Sequence, residues 1–190
     1  MNSLVDLIAK DGLKVAHLEQ IYAACRDSRR LVDDAISAMR HMDSDIAWRA
    51  VWVLKRCARD RKLSSDDVIR IASCAEELPH WASRLNLCQL LATTGCPEEA
   101  QDRLFPYLVE CFGNRRPMIR AWAISVLVGF EDRSDFRKTT QDCLQEARTD
   151  RAGSIQSRLR QLKKPRPNQA LQTTPMTRSV DEKTIEFGHP

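Results

Sequence analysis

Four arginines at near-regular spacing constrain this chain more than any bulk property. Arg49 in IAWRAVWVL, Arg84 in WASRLNLCQLL, Arg120 in PMIRAWAISVL and Arg158 in SIQSRLRQL lie 35, 36 and 38 residues apart. Each falls early in an apolar stretch with helical spacing. The residues one step and one turn later match as well: Ala50/Val53, Leu85/Cys88, Ala121/Ile124 and Leu159/Leu162. A self-similar period of this length marks repeated helical units. One pair of helices cannot bury its own apolar face, so neighbours must stack. The expected fold is therefore all-α, a right-handed α-solenoid of about four helix pairs. A guanidinium within such helices needs bonding partners, because an isolated buried charge is strongly unfavourable.

The stretch Leu104 to Phe130 displays one unit in full. Leu104, Phe105, Leu108, Val109 and Phe112 line one helical face, Gly113-Asn114 stops that helix, and Pro117 opens the next, where a missing N–H costs nothing. Upstream, Leu31, Val32, Ala35, Ile36 and Met39 form one pattern and Ile46 to Ala58 another. Ser64 to Asp67 supply cap oxygens and first-turn acids for a helix from Val68 to Leu78, and Trp81 to Ala92 follows Pro79. Phe136 to Ala147 and Ser154 to Leu162 complete the series. Residues 3–25 hold two short apolar patterns around Asp11-Gly12, which predicts a capping helix or hairpin at one end. The solenoid domain spans 1–163. After it, 164–190 are rich in proline and poor in apolar residues, so a disordered tail is expected.

At the arginines the sequence resembles the HEAT-repeat, armadillo-like family. A proline in the first helix, an aspartate or asparagine in the turn and an arginine early in the second helix are matched by Pro106, Asn114 and Arg120, and in part by Asp43 and Arg49. The resemblance implies a structural ladder in which turn Asp or Asn pairs with Arg between neighbouring repeats. Leu78 and Ala152 occupy the acid's position in the other two units, which leaves Arg84 and Arg158 without an expected local partner. The tail, NQALQTTPMTRSV, resembles a read-through appendage of small bacterial cassette-type proteins.

Seven cysteines form no C-x-x-C pair and sit mostly at apolar helical positions, as buried thiols in a reducing compartment do. With no basic start leading into a sustained apolar run, and no 18-residue apolar stretch, a cytoplasmic protein without membrane association is expected. The spacings that define phosphate loops, nucleophile elbows and helical zinc pairs are absent. His80 and Cys88 stand about 12 Å apart along a helix, too far for a dyad. The chain therefore reads as non-enzymatic, with no metal and no cofactor.

One constellation points to function. Trp48 and Trp52 lie opposite the apolar face of their own helix, beside Lys55, Arg56 and Arg59. The same angular position in later units carries Leu87, Leu90, Ile119, Val126 and Phe130. If second helices line a concave side, as the resemblance implies, these form a binding groove for a protein or peptide segment. The alternative for the same residues is a core buried on all sides. A second functional reading comes from HEAT-like alkylpurine DNA glycosylases, which use concave-face tryptophans, an aspartate and basic residues on DNA; Trp48, Trp52, Arg56 and Arg59 are similar in kind, while the one acid near the tryptophans on that face is Asp45, at the helix start. A HEAT-type chromophore lyase is a third. Nucleic acid is the less expected partner, because the middle of the stripe is aliphatic where phosphates want cations. Oligomeric state is not encoded in these patterns.

Overall fold

A computed structural model describes residues 3–163, and the expected tail lies outside them. All regular secondary structure among the described residues is helical, with no strand. The helices are α1 (Leu4–Ile8), α2 (Val15–Cys25), α3 (Leu31–Ala38), α4 (Ser44–Arg59), α5 (Ser65–Ala72), α6 (Trp81–Thr94), α7 (Glu98–Phe112), α8 (Pro117–Leu127), α9 (Ser134–Thr149) and α10 (Gly153–Leu162). None is long and apolar enough to cross a membrane.

Local chemistry sets the boundaries. Ser3 caps α1, its hydroxyl accepting from the Asp6 amide while the Asp6 carboxylate accepts from the Ser3 amide. Ser64 and Asp67 do the same for α5. Gly12, at φ +66°, makes the turn from α1 to α2, and Gly95, at φ +81°, ends α6. The helix expected from Val68 to Leu78 is shorter. It stops at Ala72, and Ala75–Glu77 form a 3-10 turn. The Ser73 hydroxyl donates to the Arg70 carbonyl at 2.6 Å, and the Cys74 amide reaches Ile71 rather than Arg70, so the backbone tightens there.

The helices pack in two series. α4 packs on α6, α6 on α8 and α8 on α10, while α3 packs on α5, α5 on α7 and α7 on α9. Among consecutive helices, α3 lies against α4, α7 against α8 and α9 against α10; α1 and α2 pack on α4. One apolar core runs through both series, from Leu4 and Ile8 to Ala147 and Ile155. Phe105 stacks on Phe136 at 4.0 Å, and Phe130 meets both at 5.7 Å. The cysteines are free thiols, five buried and Cys25 and Cys96 half-buried.

Arg120 meets a turn aspartate, Asp150 between α9 and α10, whereas Arg49, Arg84 and Arg158 take partners of other kinds. Arg49, 5% exposed, does not bond the Asp43 side chain. It donates to the carbonyls of Ile8 at 2.8 Å and Lys10 at 3.2 Å, and lies 3.5 Å from Asp45. Asp43 is occupied instead as the cap of α4, accepting from the Asp45 amide at 2.8 Å. The Asn114 side chain likewise accepts from the Arg116 amide. Arg84 and Arg120 share a partner type that carries no sequence signature, the carbonyl six residues back, at Leu78 and Asn114. Each then reaches a later helix, Arg84 to Glu110 of α7 and Arg120 to Asp150 at the end of α9, both at 2.6 Å. Arg158 lies 3.3 Å over the ring of Trp122 and donates to Gln161. An acid at Leu78 or Ala152 is therefore not needed.

Candidate interaction surface

The expected groove is core. Trp52, Leu87, Leu90, Ile119, Val126 and Phe130 are all buried, so they do not line an open surface. The helices α4, α6, α8 and α10 pack in direct succession, each against the next, and Phe130, beyond α8, is buried against Phe105 and Phe136. The basic end is occupied too. Arg56 pairs with Glu19 at 3.3 Å and lies over the Tyr22 ring, which fastens α2 to α4. Lys55 donates to Asn86 at 2.6 Å and to Gln89 at 3.2 Å; burial holds its ammonium below the usual lysine range. Arg59 remains exposed. Trp48 is half-buried, its indole N–H donating to Asp45 at 3.1 Å.

The exposed apolar residues lie elsewhere. Among the described residues the large exposed hydrophobics are Val15, Met42, Trp81 and Met118. Three of these four sit where a second helix begins. Met42 precedes the α4 cap, Trp81 is the first residue of α6 and Met118 the second of α8. At those positions a side chain has no preceding turn of its own helix to pack against, so a neighbour or solvent must take it.

Aromatic and cationic contacts join these starts into one edge. Trp48 of α4 stacks with His80, the α6 cap, at 6.4 Å. His80 meets Trp81 at 5.7 Å. The Arg116 guanidinium, at the α8 cap, lies 4.6 Å from the Trp81 centroid, and Trp122 of α8 carries Arg158 of α10. Trp48–His80 and Trp81–Arg116 join the early parts of α4, α6 and α8, and Arg120 of α8 reaches Asp150 just before α10, so the four helices run parallel with their N-termini on this edge. A cation over an indole is attracted by the ring quadrupole, by about 0.5–1 kcal/mol at an exposed site. Arg116 thus favours this orientation of Trp81, whose ring stays 44% exposed.

Charge is graded along the edge. Asp43, Asp45, Glu76 and Glu77 outnumber the exposed Arg40 at the α4 and α6 end. Arg115, Arg116 and Arg151 are exposed at the α8 and α10 end, and none has a carboxylate within ion-pair distance among the described residues. Asp150, next to Arg151 in sequence, is committed to the Ala152 amide and to Arg120, which hold its carboxyl below the usual range. Arg158, by contrast, has its pKa lowered by burial.

Met42, His80, Trp81, Arg116, Met118 and Trp122 were not singled out by helical periodicity, which finds faces and not ends. The signal was nonetheless present, since each lies within seven residues of a recurrent arginine. No group of three His, Cys, Asp or Glu side chains among the described residues is arranged to hold a metal ion. Compared with protein-family models, curated proteins and solved structures, the chain matches none of them.

Proposed function

We propose that this chain is a short right-handed α-solenoid of four HEAT-like helix pairs that works in the cytoplasm as a non-enzymatic interaction module, holding a segment of a partner protein along the edge described above. The observation that carries this reading is the gathering of Met42, Trp81 and Met118 on one edge, with Trp81 stacked on Arg116. Exposed apolar side chains that are pre-oriented and rimmed by charge are the usual anatomy of a binding hot spot. The DNA reading draws less support. Of its residues Trp52 is buried, Arg56 is paired with Glu19, and Asp45 accepts from both Trp48 and Arg49.

Selection of displayed random dodecapeptides on the full chain tests the proposal. Recovered peptides should bind Trp81→Ala/Met118→Ala at least tenfold more weakly than the parent, with both proteins equally helical. Peptides whose affinity ignores this pair would contradict the assignment of the edge.

A further inference from the structure

Resting on that reading, we infer that the partner segment is acidic with apolar anchors, and that it lies in one direction, its acids over the α8 and α10 end. Three arginines there, Arg115, Arg116 and Arg151, are exposed without a carboxylate partner among the described residues. The local acids are already spent, Asp150 on Arg120 and Glu110 on Arg84. Helices α8 and α10 also begin without a side-chain cap and without an acid in the first turn, so their positive ends add to the arginines. At the other end α4 is capped by Asp43 and carries Asp45, and Glu76 and Glu77 are exposed just before α6. A carboxylate-bearing segment is attracted to one end and repelled from the other, which fixes its direction.

The anchors lie between and beside these charges. Trp81 and Met118, 44% and 49% exposed, present apolar area next to Arg116, and Met42 extends it toward α4. An aromatic or aliphatic side chain placed there meets a ring whose orientation Arg116 already favours. A single strand of nucleic acid fits less well. Its phosphates recur along the whole strand and would meet Asp45, Glu76 and Glu77 wherever a base stacked on Trp48 or Trp81.

The full chain and the selected dodecapeptides decide the matter, with affinity read by fluorescence anisotropy. The recovered set should be net negative and contain aromatic or branched aliphatic residues. Its best member should bind Arg115→Glu/Arg116→Glu/Arg151→Glu at least tenfold more weakly than the parent, and its acid-to-amide analogue should bind the parent and this variant alike. Circular dichroism of each variant excludes unfolding as the cause. Neutral or basic peptides that need Trp81 but ignore the arginines would overturn the inference and leave the edge reading standing. Peptides that ignore Trp81 and Met118 as well, or recovery of none, would overturn both. Displacement of the peptide by an oligo(dT) dodecamer, with affinity falling steeply in salt, would assign the edge to nucleic acid instead.

Discussion

The Arg120 guanidinium donates to the Asp150 carboxylate at 2.6 Å and, through its other terminal nitrogen, to the Asn114 carbonyl at 3.0 Å. It ties the α7–α8 turn to the α9–α10 turn. Both side chains are about one-fifth exposed, so the pair is only partly screened. Arg120→Met should cost about 1–3 kcal/mol, less than a fully buried pair, as read from urea unfolding. The Ala152 amide and Arg120 depress the Asp150 pKa, so its contribution is present above the ordinary carboxylate range and lost as pH falls through the lowered value. The difference between parent and Arg120→Met should therefore narrow in acid. A difference independent of pH would contradict this.

Arg49 and Asp43 act separately. Arg49→Met leaves the Ile8 and Lys10 carbonyls without their donor and should cost about 3 kcal/mol. Asp43→Ala removes a helix cap and should cost about 1 kcal/mol. A double-mutant cycle should give a coupling energy below about 0.5 kcal/mol. Coupling above 1 kcal/mol would restore the turn-acid pairing that the family resemblance implies.

Leu87 and Leu90 belong to the core. Either, changed to alanine, should lose about 2–5 kcal/mol of stability, whereas Trp81→Ala should lose no more than about 1 kcal/mol. Denaturant midpoints of the three variants check this ordering. Near-parent stability of Leu87→Ala would return those residues to a surface.

Tyr22 donates its hydroxyl proton to the Asp60 carboxylate at 2.6 Å, joining α2 to the end of α4. Burial, followed by this bond, raises the Tyr22 pKa well above its ordinary value of about 10. A raised folded-state pKa means that the contribution is complete below about pH 10 and is lost as pH rises through the folded value. Tyr22→Phe should be the less stable protein at neutral pH, and the gap should close in alkali. A gap that widens above pH 10 would show the assignment to be wrong.

Much of the helical framework was legible because apolar periodicity, Pro117, Ser64 and the glycine stops are local signals. The arginine spacing was legible for the same reason, but the partners were not. Arg84 and Arg120 bond to carbonyls, which every residue carries, and Glu110 and Asp150 join them only through the packing of helices distant in sequence. The fate of Trp52 turned on how closely α4 and α6 pack, a quantity that periodicity does not carry. Trp48 and Trp52 share one helical face, yet one is half-buried and the other fully buried. The edge at Trp81 and Met118 escaped because it is built from helix starts.

The most direct test of the central claim is an amide correlation spectrum of the isotopically labelled full chain, titrated with a selected peptide. Perturbations should concentrate at Met42, Trp48, His80, Trp81, Arg115, Arg116, Met118 and Trp122, together with the indole N–H groups of Trp48, Trp81 and Trp122. Core positions such as Leu90 and Ile124 should stay unchanged. Perturbations confined to other surfaces, or spread through the core without the Trp81 indole, would contradict the account.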